Sequence, residues 1–428
     1  MRRAPAWAVN ARRPLEHRDF RYQFTASALS MFGVALSQVA VAVGLLAEGG
    51  SPQTLGIALA AFSVPQLVFV LVGGVWSDRL PRHYLMIASD AVRFGTQTTF
   101  GIILLCGGGP IWGYVTLQVL SGTASALFLP ASMALTADSV PAGLRQDANA
   151  LLALTRNATN TVAPVVAGLV VVLLSPGWAL VIDGATYLAS LVLLTRIQVH
   201  PQGVVQDRAS FVSEFRAGLR VVLRTTWVWT TIVYFMLFNI CFATFLVLGP
   251  AAITTGAAGA LRWGTIVATF GAGQVVGNIL ALSVQPRRPL LVSRIVMLAA
   301  APMLWALATT DSLYILCPLA VVFGVSISFP DVLWHSTLQN HIDTGSLARV
   351  SSFDYFGSFL LLPIGLSVAG LLGSSAGVSV TLVGAAMLML LSTLASLAVP
   401  SLWSLGPTPN AGDVPAIGLK PSVDAQEM

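Results

Sequence analysis

Gly74, Asp78, Arg79 and Arg82 fall within the short segment Gly73–His83, which lies between two long apolar runs. One carboxylate and two guanidiniums in such a turn form no bond-making site. Their chemistry is electrostatic. A charged turn beside a bilayer marks one membrane face, and its ion pairs can form or break as helices move. Asp138 and Arg145 flank a later turn and are candidate partners there. Gly74, Asp78, Arg79, Arg82, Asp138 and Arg145 are therefore the expected gating set.

Charges within apolar runs are costly and tend to carry function. Asp183, about five residues inside the sixth apolar run, is the deepest clear acid on the outer side, and Arg93 follows Asp90 by three positions, on one helical face. Near the midplane the polar groups are neutral: Gln38, Gln66, Asn239, Gln274 and Asn278. Gln38, Gln118, Asn239, Gln274, Asn278 and Asp183 are the substrate or coupling candidates, with Gln66 and Gln274 also suited to bonds between helices. Without a strong charge at mid-depth, these residues suit a neutral or amphipathic small molecule. Cys106, Cys241 and Cys317 are isolated, and His335 and His341 read as loop residues, so neither a disulfide framework nor a metal site is expected. No phosphate-cradling glycine loop or acyltransferase pattern occurs, so no enzyme activity and no cofactor is expected.

The elements that must carry these residues are membrane spans. The chain has 428 residues, 56% of them hydrophobic and only 9% charged. A soluble domain carries about 25% charged residues. Apolar runs near 21–47, 53–76, 84–106, 111–136, 149–174, 178–196, 227–250, 262–284, 290–309, 312–334, 351–373 and 377–399 are each long enough to cross a core of ~30 Å as helices. They are continuous and not alternating, which excludes a β-barrel. The expected fold is an all-α polytopic membrane protein of about twelve spans. Of the 22 basic residues, only Arg262 falls in a turn that alternation places outside. Lys/Arg excess marks the cytoplasmic side, so both termini are expected there. The net charge of +5 has no soluble domain on which to form a nucleic-acid surface. The first apolar run is long and lacks a cleavage site, so it reads as a retained anchor.

The chain also repeats itself. Leu55–Gln66 lies over Trp263–Gln274 with Gly, Ala, Phe and Gln in register, and the same offset carries Arg79 onto Arg287. The second copy has Pro286 where the first has Asp78, so any lock formed by that acid is one-sided. Phe128-Leu129-Pro130 echoes Phe329-Pro330, and Pro164–Gly168 echoes Pro363–Gly370. Two similarly oriented halves follow. The expected division is an arm at 1–20, a six-helix half at 21–196, a central loop at 197–226, a second half at 227–400 and a disordered cytoplasmic tail at 401–428. In the central loop, Phe211, Phe215 and Leu219 recur at helical spacing opposite Arg216, Arg220 and Arg224, as in a helix lying on a membrane surface.

With these residues in place, the chain resembles the major facilitator superfamily over roughly 15–400. The family turn Gly-x-x-x-Asp-Arg/Lys-x-Gly-Arg-Arg/Lys is matched by Gly74, Asp78, Arg79 and Arg82, with Pro81 in its glycine position and His83 in its last basic position. Within the superfamily the chain is similar to drug and siderophore exporters of the macrolide-efflux and enterobactin-exporter type. Leu15–Arg21, Ser89–Arg93, Leu127–Ala131, Arg145–Ala150 and Ile182–Tyr187 carry that likeness. Ala163, Pro164 and Gly168 resemble the antiporter motif of the fifth helix, with alanine in two glycine positions. Proton-coupled drug exporters have an arginine in the fourth helix where this chain has Gln118, which cannot carry charge.

The resemblance implies alternating access, with Asp78 meeting the N-terminal end of the eleventh helix and Arg79 or Arg82 pairing with Asp138. It implies that helices one and seven line the cavity, which favours Gln38 and Asn239. The expected function is export of a hydrophobic or amphipathic drug, antibiotic or siderophore, driven by the proton gradient. An importer, a facilitator, a lipid flippase and a non-transport membrane protein stay open as alternatives. The expected partners are a small-molecule substrate, the lipid bilayer of the cell membrane and protons as coupling ion, with no nucleic acid. The expected state is a monomer.

Overall fold

The computed structural model describes residues 13–77, 82–198, 211–253, 259–284 and 286–404. Among these residues every regular element is a helix. Apolar side chains cannot satisfy backbone polar groups in lipid, so each segment closes its hydrogen bonds on itself.

The first half contains α1 (Arg18–Ala47), α2 (Pro52–Ser77), α3 (Arg82–Leu105), α4 (Ile111–Ser139), α5 (Arg145–Leu173) and α6 (Pro176–Leu194). The amphipathic segment forms α7 (Phe211–Arg224). The second half contains α8 (Thr226–Ile253), α9 (Gly259–Ser283), the pair α10 (Pro289–Met297) and α11 (Ala301–Thr309), α12 (Leu313–His341), the pair α13 (Thr344–Phe359) and α14 (Leu362–Ser375), and α15 (Val378–Leu397). Ten of the resulting spans are long and apolar enough to cross a membrane. The other two, α3 and α5, have 24 and 29 residues but carry the charges Asp90 and Arg93, and Arg145, Asp147 and Arg156.

Two expected spans are broken, and proline explains each break. Pro302 has no N–H to give and its ring crowds the carbonyl four residues back, so a 3-10 turn at Leu298–Ala300 separates α10 from α11. Pro363 acts in the same way between α13 and α14. The turn joining α3 to α4 uses Gly107 and Gly108, both at φ 92°, a left-handed conformation that side chains resist.

The two halves pack alike. Helix α2 lies on α4 as α9 lies on α12, and α1 lies on α5 and α6 as α8 lies on α14 and α15. The carbonyl of Phe62 is met by Gly122 on α4, and the carbonyl of its repeat partner Phe270 is met by Gly324 on α12. The halves join along two seams, α2 with α14 and α5 with α9. The end of the bundle where α1 begins and α15 ends is termed basal here, and the opposite end apical.

Candidate functional site

Both seams make close backbone approaches near the apical end. A Cβ on Gly370 of α14 would stand 2.6 Å from the Pro52 carbonyl oxygen and 3.2 Å from the Gly56 Cα. Beside it the Gln53 amide donates to Ser374 Oγ at 3.1 Å. In the other seam, a Cβ on Gly168 would stand 3.2 Å from the Ala260 carbonyl oxygen and 3.6 Å from the Gly264 Cα. A side chain at Gly370 would force these backbones apart, and one at Gly168 would be tight. By contrast, α13, the basal part of the broken span, packs on α7 and α8 and not along α2. Another apical contact braces the first half: Tyr114 donates to Glu48 Oε2 at 2.7 Å.

Beneath this seal lies a cavity of about 330 Å³ between the halves. Its two walls differ in chemistry. The first half presents four amides, Gln38, Gln66, Gln97 and Gln118, and three hydroxyls, Ser37, Ser63 and Tyr187, beside aliphatic residues and Phe62. Gln97 is buried, and its side-chain oxygen accepts no hydrogen bond. The second half presents Phe242, Phe245, Trp263 and Phe270. These rings form one cluster: Phe245 and Phe270 centroids are 5.7 Å apart and Phe245 and Trp263 centroids 5.2 Å apart. The seal and the cavity share elements, since Trp263 adjoins Gly264 in sequence and Leu366 lines the cavity while its carbonyl faces Gly56. Such a site holds an amphipathic guest with one polar and one aromatic or aliphatic side.

The expected site residues separate into groups. Gln38 and Gln118 line the cavity. Asn239 does not: its side-chain amide donates to the carbonyls of Phe235 and Ser358, both at 3.0 Å, and ties α8 to α13. Gln274 lies where α9 meets α12, its backbone carbonyl accepting from Ser328 Oγ at 2.9 Å. Asn278 follows one turn later and is half-buried. Asp183 is fully buried behind the cavity wall, between α6 and α1. Ala163 is buried, Pro164 lies within α5, and Gly168 forms the seam with α9.

Of the gating set, Gly74 lies near the end of α2 and Arg82 opens α3, while Asp78 and Arg79 fall outside the described residues. Asp138 is half-buried near the basal end of α4, and Arg145 is exposed at the start of α5. The sequence reading missed Gln97, Tyr187 and the aromatic wall. Gln97 was detectable as another mid-helix amide, but aromatic residues in helices that are apolar all round give no signal.

Two packed halves thus flank a cavity, and residues 24–366 match the Major Facilitator Superfamily. The chain belongs to the major facilitator superfamily. It is a multi-pass protein of the cell membrane. Among curated relatives of this superfamily, it is 24% identical to the enterobactin exporter EntS of Escherichia coli O1:K1 / APEC over 408 residues, covering 91% of this chain and 95% of the relative. It is 22% identical to the uncharacterized MFS-type transporter YvqJ of Bacillus subtilis (strain 168) over 369 residues, covering 84% of this chain and 87% of the relative. Among solved structures, the nucleoside transporter NupG gives a TM-score of 0.73 at 10% identity, covering 90% of this chain and 99% of that one. A bacterial homolog of the human lysosomal transporter Spinster, in its inward-facing and unoccupied conformation, gives 0.70 at 14% identity, covering 90% of this chain and 97% of that one. These structural likenesses concern the fold.

Proposed function

We propose that the chain exports a neutral or amphipathic small molecule, of the drug, antibiotic or siderophore kind, by alternating access driven by the proton gradient. The observation that carries this reading is the two-sided cavity, with amides on the first half and a cluster of aromatic rings on the second, lying beneath the apical glycine contacts. A guest bound across both walls tends to hold the halves together, so binding biases which end of the bundle opens. The unpaired Gln97 oxygen favours a guest with a hydrogen-bond donor. A multiply charged solute would need cations at that depth, and the cavity wall has none.

The basic residues concentrate on the turns at the basal end, which supports a cytoplasmic basal end and an external sealed end. A substrate would then enter from the cytoplasm in this state. Export also draws support from the similarity to an enterobactin exporter. In this reading the turn carrying Asp78 and Arg79 closes the basal end, with Asp138 as a partner, when the seal opens. The protein acts as a monomer.

Gln118, neutral where a cation would couple protons, favours a second reading, an uncoupled facilitator. One experiment separates the two. Inverted membrane vesicles carrying the protein are given a panel of amphipathic dyes, macrolides and siderophores under an imposed pH gradient. Export predicts uptake that collapses with an uncoupler. Uptake indifferent to the uncoupler selects the facilitator, and uptake confined to small, highly charged solutes overturns both.

A further inference from the structure

Behind the amide wall, α3 and α6 enclose two carboxylates and one guanidinium. Arg93 pairs with Asp90 Oδ1, and Ser190 Oγ donates to Asp90 Oδ2 at 2.6 Å. The Arg93 guanidinium also lies 4.2 Å from the Phe128 ring centroid and 4.5 Å from that of Tyr187. Asp183, one turn before Tyr187, is 0% exposed, and neither of its carboxylate oxygens accepts a hydrogen bond. Arg93 and Asp90 are the charged groups that face it from α3, and the Ser37 hydroxyl of α1 and the Tyr187 hydroxyl of its own helix lie beside it. The Ser37 hydroxyl is already donated to the Val34 carbonyl at 3.0 Å. Among the described residues, helix α5, which also touches α6, brings no charged group to Asp183.

With all three groups ionised, the cluster would hold one surplus negative charge at membrane depth. The Ser37 and Tyr187 hydroxyls are near Asp183 but close no hydrogen bond on it, and a buried charge left so is costly. We propose that Asp183 is the proton carrier of this transporter, loaded before the apical end closes and discharged as substrate occupies the cavity of the sealed state. This inference rests on the proton-driven reading above. On discharge the Asp183 O–H bond breaks, the proton passes to water in the cavity, and the electron pair stays on the carboxylate. Asp183 then competes with Asp90 for Arg93, which draws the guanidinium away from its place against Tyr187.

Tyr187 and Ser37 both line the cavity, so the change is felt at the substrate wall. It is also felt by α1. Gly33 faces Asp183 Oδ1 and Thr186 Oγ1 so closely that a side chain there would collide with both. Charge and hydration at Asp183 therefore press on a helix that supplies Val34, Ser37 and Gln38 to the cavity. Reloading takes a proton from external water once the apical end has opened.

The test uses the full chain in lipid bilayers. Infrared difference spectra across an acid–base titration should show the carbonyl stretch of a protonated carboxyl in the wild type and in Asp183→Glu, but not in Asp183→Asn. In Asp90→Asn, Arg93 is free to pair with Asp183 and the band should weaken. A band untouched by both asparagine substitutions overturns the proposal. In proteoliposomes with ethidium as probe, Asp183→Asn should keep ethidium counterflow, which shows that it folds and exchanges, and lose at least tenfold of the stimulation by a pH gradient. Gradient stimulation intact in Asp183→Asn overturns the carrier role alone. Wild-type exchange that ignores the gradient overturns the proton-driven reading and the carrier role with it.

Discussion

Gly56 of α2 and Gly370 of α14 meet backbone to backbone at the apical end, where a Cβ on Gly370 would lie 3.2 Å from the Gly56 Cα. The repeat places Gly264 at the position of Gly56, and Gly264 faces Gly168 in the other seam. The apical seal is thus one glycine contact made twice, once for each copy of the ancestral plan. Its strength comes from close packing, which falls steeply with separation. Among the described residues no ion pair crosses it.

Gly370→Val should prop the α2–α14 seam apart. Overpacking of this kind costs about 1–3 kcal/mol, which shifts a two-state equilibrium roughly tenfold or more. The measurable consequence is access from outside. A cysteine at Ser63, which lines the cavity, should react faster with an impermeant maleimide from the external side in Gly370→Val than in the parent. Equal rates would show that the seam does not control the apical opening.

Gly249→Ala should shrink the cavity without touching it. Gly249 faces the six-membered ring of Trp263 at a separation that leaves no room for a methyl group. The indole must then move, and its free side is the cavity. Binding of a planar amphipathic dye, followed by tryptophan quenching, should weaken about tenfold, in line with ~1–3 kcal/mol of overpacking. Restored affinity in the double variant with Trp263→Leu would attribute the loss to the indole. No change in the single variant would sink the account of that wall.

Span number and the internal repeat are legible in the sequence because lipid imposes length, and because close packing kept Gly56, Phe62 and Gly264 in register with their partners. The breaks after Met297 and Phe359 were not read, although Pro302 and Pro363 signal them. The site is only half legible. Gln38 and Asn239 are both amides at mid-depth in equivalent first helices of the two halves, yet one faces the cavity and the other bonds to Ser358. Apolar residues surround both in sequence, so hydrophobic periodicity does not report how either helix is rotated. Asp183 was identifiable as a costly buried acid, but its rivalry with Asp90 for one arginine needs α3 and α6 side by side.

Arg294→Met should leave the fold intact and keep or raise the Tm. Arg294 is buried on α10, donates to Thr231 Oγ1 at 3.0 Å and lies 4.0 Å from the Tyr234 ring centroid. Its Nε has no acceptor, and no ion pair to an acid is found for it among the described residues. A buried charge of this kind is often neutral or stabilising to replace, by about 1–4 kcal/mol, when an apolar side chain fills the space. Thermal unfolding in detergent checks the direction, and Arg294→Glu should fail to accumulate. A clear fall in Tm for Arg294→Met would mean that the two stacked rings, Tyr234 and Phe235, outweigh the cost of burying the guanidinium.

Gln118→Ala and Asn239→Ala remove the same functional group from two halves of one bundle and should have opposite effects. Gln118 faces the cavity, so its loss removes a bond to the guest, worth about 0.5–1.5 kcal/mol for a neutral pair. Dye affinity should fall about two- to tenfold while Tm holds. Asn239 donates to the Phe235 and Ser358 carbonyls, so its loss leaves the latter without its bond between α8 and α13. Tm should fall while affinity changes less than twofold, because interhelical hydrogen bonds in membranes are worth about 0.6 kcal/mol and this one does not touch the guest. Paired binding and thermal-unfolding measurements on the two variants test the division directly. An Asn239→Ala protein with normal Tm and weakened binding would move that residue back to the substrate, and with it the boundary of the site.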